Sequence, residues 1–335
     1  MTSTISKIRT QSGLTLVELM VALAIGSFLI IGAVQIYNQS RQAFVINDSI
    51  AKVQETAQFA MDTIEADLRM ASNWGRNSRS LAVEGRALVG DANPNALPAP
   101  DECGDDWALD LARAVDGGNN TYTLPCASVG GAAQANSDFF TVRRATVNPV
   151  AIDDTRLQIQ TTRVQGEIFN GNAVPPAFQP ITNHPITGAP SSTTHNLLVN
   201  TYYVSESSDL IPGVPTLRRK TLTVRAGVPA IEDQEVAPGV ENIQIQLGVD
   251  VDEDNTVDRY VNPGDEIYDP AAGGYVPGAR VITARVWILV RGLSREVGLN
   301  DTRDYSPGDV ALGAQNDEYR RMQISKTILL RNART

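Results

Sequence analysis

The sequence predicts an α+β fold in which a long N-terminal α-helix packs on an antiparallel β-sheet head that carries a long loop insertion. Three observations predict it. An apolar run from Leu14 to Ile36 passes, with no proline before Pro94, into apolar residues at helical spacing. From Asn73 to Ser137 the composition then shifts to Gly, Ala, Asn, Asp and Pro. A series of alternating runs separated by turn residues follows to the end of the chain. At 335 residues, 42% hydrophobic and 20% charged, the chain can bury a core. Its formal net charge of -10 argues against a nucleic-acid binder, because neutralising phosphates needs a Lys/Arg surplus on some face.

The first element, LTLVELMVALAIGSFLIIGAVQI from Leu14 to Ile36, is long enough to cross the roughly 30 Å hydrocarbon core of a bilayer as a helix. Ahead of it, MTSTISKIRTQSG carries Lys7 and Arg9 and no acidic residue, which favours a cytoplasmic start with the rest of the chain outside the cytoplasm. A secretory signal peptide is the competing reading. Against it, the apolar run exceeds a typical h-region, no A-x-A-like site precedes the polar stretch Tyr37 to Arg41, and the run contains Glu18. An ionisable group inside a span is costly unless paired, and marks function.

The string Ser12-Gly13-Leu14-Thr15-Leu16-Val17-Glu18-Leu19-Met20 resembles the type IV prepilin signature, with Leu14 where Phe is commonest. The resemblance implies that residues 1–13 are a leader, that a prepilin peptidase cuts between Gly13 and Leu14, and that the new amine is methylated. It also makes Glu18 the fifth residue of the mature chain and a residue of assembly, pairing with the amine of a neighbouring subunit. Cleavage creates a charged amine at Leu14 one turn from Glu18, and in a low dielectric the carboxylate needs such a partner.

Residues 14–36 are thus the expected membrane half of the helix and 37–72 its amphipathic half. Ile46, Ile50, Val53, Ala57, Ala60, Ile64 and Leu68 form one apolar stripe, and Asp48 with Lys52 and Glu65 with Arg69 add i,i+4 pairs. A helix over 14–72 is on the order of 90 Å long at 1.5 Å per residue. Residues 73–137 read as an ordered insertion with little regular structure, carrying both cysteines of the chain, Cys103 and Cys126. Export predicts one disulfide between them, worth about 3 kcal/mol, with two buried free thiols as the alternative.

Strands are expected at 139–147, 157–164, 197–204, 217–224, 240–249, 281–290 and 322–330, with 164–194 as an excursion from the sheet. Arg218, Arg219 and Lys220 read as a solvated strand edge, and the two histidines, His184 and His195, as solvated loop residues. In the loop 250–258, Asp250, Asp252, Asp254 and Asp258 occupy positions one, three, five and nine of a D-x-D-x-D calcium loop, with Thr256 at seven offering its carbonyl. Asn255 replaces the usual glycine and Val261 the closing Glu, so the expected site is shorter than an EF-hand and completed by Glu253, Glu266, a carbonyl or water.

IQLGVDVDEDNTVDRYV, RVITARVWILVRG and YRRMQISKTILLRN are similar to segments of the PilW minor pilins, which are related to the J-type pseudopilins of type II secretion. This resemblance implies a pilin-like fold and a minor pilin that primes pilus assembly near the tip; a pseudopilin or a tip adhesin subunit are the alternatives. Its implied partners are other major and minor pilins, the peptidase, the inner membrane and a tip adhesin. No G-x-S-x-G, phosphate-binding glycine loop or H-E-x-x-H appears, so no enzyme is predicted.

Overall fold

The computed structural model describes residues 13, 15–86, 93, 96–104, 106–171 and 191–334. The chain divides into two compact units between Ala51 and Lys52. The helix α1 runs from Leu16 to Met70, two residues short of expectation at each end. In the first unit its apolar side chains lie open, with Leu16 74% and Phe28 77% exposed.

The second unit holds the rest of α1 and the strands β1 (Val83–Glu84), β2 (Val115–Gly118), β3 (Phe139–Ala145), β4 (Gln158–Thr161), β5 (Gly166–Phe169), β6 (Thr193–Ser205) and β7 (Thr216–Arg225). After these come β8 (Val228–Pro238), β9 (Val240–Asp250), β10 (Arg259–Val261), β11 (Arg280–Arg291), β12 (Asp304–Tyr305), β13 (Gly313–Ala314) and β14 (Arg321–Leu329). An eight-stranded sheet runs β1-β5-β4-β6-β3-β2, with β7 on β6 and β8 on β7; a four-stranded sheet runs β10-β9-β11-β14, and β12 pairs with β13. All pairs are antiparallel except β1 with β5.

Every expected strand is present, and the longest of the unexpected ones is β8. Its sequence, VPAIEDQEVAP, has prolines near both ends and acidic residues between, which suits an edge strand and hides it from a search for apolar alternation. Because β8 covers β7, the basic run is not a solvated edge. Arg218 and Lys220 are buried, and Asp233 on β8 accepts from Arg218 Nε at 2.6 Å and Lys220 Nζ at 2.8 Å. His195 is also no loop residue: it sits buried in β6, its Nδ1 2.7 Å from the Thr146 carbonyl and its Nε2 2.9 Å from Thr193 Oγ1. Burial pushes its pKa below the ordinary histidine value. His184 lies outside the described residues, as does much of the 164–194 excursion, whose described part contains β5.

Two apolar cores lie on the two faces of the eight-stranded sheet. On one, Val53, Ala57, Ala60, Ile64 and Leu68 of α1 pack with Phe140, Val142, Tyr202 and Val204, and with Ile243, Ile245, Val286 and Ile288 of the four-stranded sheet. The predicted stripe is therefore core from Val53 onward, while Ile46 stays exposed. On the other, Trp74, Trp107, Leu109 and Leu111 cover Ile159, Leu197 and Val199. Strand β6 serves both because successive side chains point to opposite faces. The insertion is thus a packed layer, although among the described residues its regular structure is confined to β1, β2 and a short 3-10 turn. Cys103 and Cys126 are joined within it.

Polar contacts fix how these layers dock. Asp67 on α1 is buried; its Oδ1 accepts from Arg144 Nε and Nη2 at 3.0 and 2.8 Å, and its Oδ2 from Asn200 Nδ2 and the Tyr202 hydroxyl, both at 2.6 Å. Two residues before it, Glu65 pairs with Arg69 and with Lys326 of β14. The two sheets meet at the start of β3, where the buried Asp138 accepts from Ile245 N on β9 at 2.8 Å and from Asn120 N at 2.7 Å. The chain itself crosses from β8 to β9 at Gly239, whose φ of +96° and 2.8 Å separation between a built Cβ and the Arg291 carbonyl leave no room for a side chain.

Replacing Asp67 with Ala leaves the buried Asn200 and Tyr202 and the half-buried Arg144 without their acceptor and is expected to lower unfolding stability by about 3–5 kcal/mol, read from denaturant titration. Burial pushes the Asp138 carboxyl up to about 6. A folded pKa raised above the unfolded one contributes stability that is fully present below about pH 4 and lost as the pH rises through about 6. The stability difference between the native protein and Asp138→Asn should therefore move in favour of the variant by about 2 kcal/mol between pH 4 and 7.

Candidate functional site

Two sites follow from the sequence, the start of α1 and the acidic loop. At the first, Glu18 Oε2 accepts from the backbone N and the hydroxyl of Thr15, both at 3.0 Å, while Thr15 Oγ1 accepts from Glu18 N at 3.3 Å. This is a reciprocal T-x-x-E capping box, a signal legible in the sequence that reasoning on the intramembrane charge alone misses. Gly13 is exposed, with nothing within 4 Å of a built Cβ. Leu14, the other half of the expected cleavage site, lies outside the described residues, as do Lys7 and Arg9. The helix that Glu18 opens is long and apolar enough to cross a membrane.

The acidic loop joins β9 to β10. Strand β9 ends on Asp250 and antiparallel β11 begins on Arg280, so the two residues stand directly opposite each other. Asp250 is fully buried, and its Oδ2 accepts from Arg280 Nε and Nη2 at 3.2 and 3.1 Å and from Asn255 N at 3.0 Å. Its Oδ1 is buried with no hydrogen-bond partner. Carboxylate oxygens of Asp250, Asp252 and Asp254 lie within 4.8 Å of one another. Asn255 adopts a φ of 68°, the conformation a glycine would supply at that position, and Glu253 a φ of 65°.

The remaining sequence candidates are placed differently. Asp258 turns its Oδ2 to Val251 N at 2.7 Å, closing the loop on itself. Thr256 gives its N and hydroxyl to Asp254 Oδ1, which holds the Asp254 carboxyl below its ordinary value. Glu253 lies against Gly278, and Glu266 accepts from Gly274 N at 3.0 Å within a separate turn. The sequence spacing finds the loop and three converging carboxylates. It does not reveal Arg280, which only the β9–β11 register brings there.

A family model described as the prokaryotic N-terminal methylation motif matches residues 8–34, and one described as type IV pilus-assembly protein W matches residues 201–332. The chain is a type IV prepilin-like protein. Its resemblance to the minor pilin PilW covers the second half of β6 through the turn after β14, and so takes in the whole four-stranded sheet and the acidic loop. The insertion at 73–137 lies outside both matches. Among solved structures the pilin-like chain is similar to "Type IV-like pilin TTHA1219 from Thermus thermophilus", at 13% identity and a TM-score of 0.29 over 66% of this chain and 85% of that one. No curated protein matches it by sequence. Pilins of this kind are structural subunits that assemble with other pilins, not enzymes.

Proposed function

We propose that the chain is a minor pilin that primes assembly of a type IV pilus and takes a place near its tip. The observation that carries this reading is the joining, in one chain, of Glu18 at the mouth of an exposed apolar helix to a head that matches PilW over its last sheet. As a precursor it is held in the inner membrane by one span with its head in the periplasm. The basic residues Lys7 and Arg9 and the Cys103–Cys126 disulfide both support that orientation.

Prepilin peptidase cuts after Gly13 and frees the Leu14 amine. The capping box already satisfies Glu18 Oε2 from within its own chain, so the carboxylate enters the filament pre-oriented by Thr15. Its charge is then compensated by the amine of a neighbouring subunit, which sets the register of assembly. The insertion supports a terminal position, because it adds a second layer over the eight-stranded sheet that a subunit flanked on all sides has little room to carry.

With Glu18→Val in a piliated host, processing is expected to persist while incorporation into surface filaments fails; normal incorporation of the variant would remove the register reading. Deletion of the gene should abolish piliation and leave protein secretion intact. The reverse pattern would make the chain a pseudopilin.

A further inference from the structure

We infer that the β9–β10 loop binds one calcium ion through Asp250, Asp252 and Asp254. Proximity of acidic residues alone would not carry this, since exposed carboxylates cluster often without a ligand. The deciding observation is the state of Asp250. It is completely buried, and one of its two oxygens is served three times over by Arg280 and Asn255 N. The other, Oδ1, is equally buried and has no donor at all. A buried carboxylate oxygen left unpartnered carries a desolvation cost of about 1–3 kcal/mol or more, which a cation or a donor at that point removes.

The geometry suits a hard cation of calcium's size. Calcium holds oxygens at 2.3–2.6 Å, so one ion bridges oxygens up to about 5 Å apart. The three carboxylates present oxygens within 4.8 Å of one another. Magnesium, at 2.0–2.1 Å, reaches only about 4 Å across and demands near-octahedral geometry, which a partly exposed set of three carboxylates suits less well than it suits calcium. Charge points the same way. Arg280 supplies one positive charge to a group of three carboxylates, and it engages Oδ2 of Asp250 and not the unpartnered Oδ1. Asp252 and Asp254 are exposed, so the remaining coordination positions are open to water and to loop carbonyls, as expected of a site of modest affinity. Asp258 is not among the three converging carboxylates; its Oδ2 closes the loop by accepting from Val251 N. The bound ion would fasten the end of β9 to the loop that leads into β10, on the edge of the four-stranded sheet. This inference is independent of where in a filament the subunit sits.

The test uses the full-length chain in detergent, stripped with EDTA and titrated with calcium chloride, and separately with magnesium chloride at matched ionic strength, by calorimetry and thermal unfolding. The expected result is one calcium per chain with a Kd of roughly 10⁻⁴ to 10⁻³ M, a midpoint that rises with calcium, and a weaker response to magnesium. Asp252→Ala combined with Asp254→Ala should weaken calcium binding by at least about tenfold. Both side chains are exposed, so the variant should fold; Asp252→Asn with Asp254→Asn keeps the loop's hydrogen bonding and takes its place if the alanine pair does not. No calcium-dependent heat or midpoint shift at millimolar calcium, an equal response to magnesium, or native affinity in the double variant would overturn the inference.

Discussion

The buried carboxylate of Asp67 fixes the arrangement of the head. Apolar packing between α1 and the sheets is strong but tolerant, since a helix can slide or rotate by part of a turn and still bury Val53, Ala57, Ile64 and Leu68. Four hydrogen bonds from three side chains cannot follow such a slide. Arg144 on β3 and Asn200 and Tyr202 on β6 converge on both oxygens of one residue, which sets the helix's axial position and its rotation together. Burial, with Asp67 beside it, pushes the Tyr202 hydroxyl far above its ordinary pKa, so it remains a donor at any physiological pH. Glu65 repeats the arrangement with Lys326 and extends it to the four-stranded sheet. Charge here defines geometry more than it adds stability.

Given that placement, β6 becomes the member shared by the whole head. Its even-numbered side chains at 200, 202 and 204 belong to the helix side, while Leu197, Val199 and Thr201 belong to the insertion, where Thr201 accepts from Trp107 Nε1 at 2.8 Å. A register slip of one residue would therefore exchange both cores at once. The disulfide closes a 23-residue separation inside the layer that β6 supports, which stabilises by about 3 kcal/mol a segment with almost no ladder of its own.

Much of this was legible in the sequence because it obeys simple periodicities. The apolar span, the stripe from Val53 to Leu68 and each long alternating strand were visible as patterns of 3.6 or 2. What escaped was set by partners distant in sequence. Asp67 reads as one more polar residue on a helix, since nothing near it announces Arg144 or Tyr202. Arg218 and Lys220 read as solvent-facing because their compensating Asp233 sits in a strand disguised by proline and acid. His195 reads as a loop residue because Thr- and Asn-rich strand β6 begins before its apolar part. At the acidic loop the carboxylate spacing was explicit, but the arginine opposite Asp250 belongs to a strand whose register no local pattern specifies. At the helix start, the Thr15–Glu18 cap was fully written in the sequence and obscured only by the more prominent leader signal beside it.

The contacts that lock α1 also impose an order on folding. Asp67 meets Asn200 across 133 residues, and Glu65 meets Lys326 across 261. The helix is synthesised first, yet the strands that cover its apolar stripe come from the middle and the end of the chain. Native packing of this kind cannot be completed piecewise as the polypeptide emerges, and contacts of such long range are slow to form. The hazardous interval for the nascent chain is therefore a late one, when nearly all of the head exists, β14 is still missing, and a long apolar flank waits for its last strand.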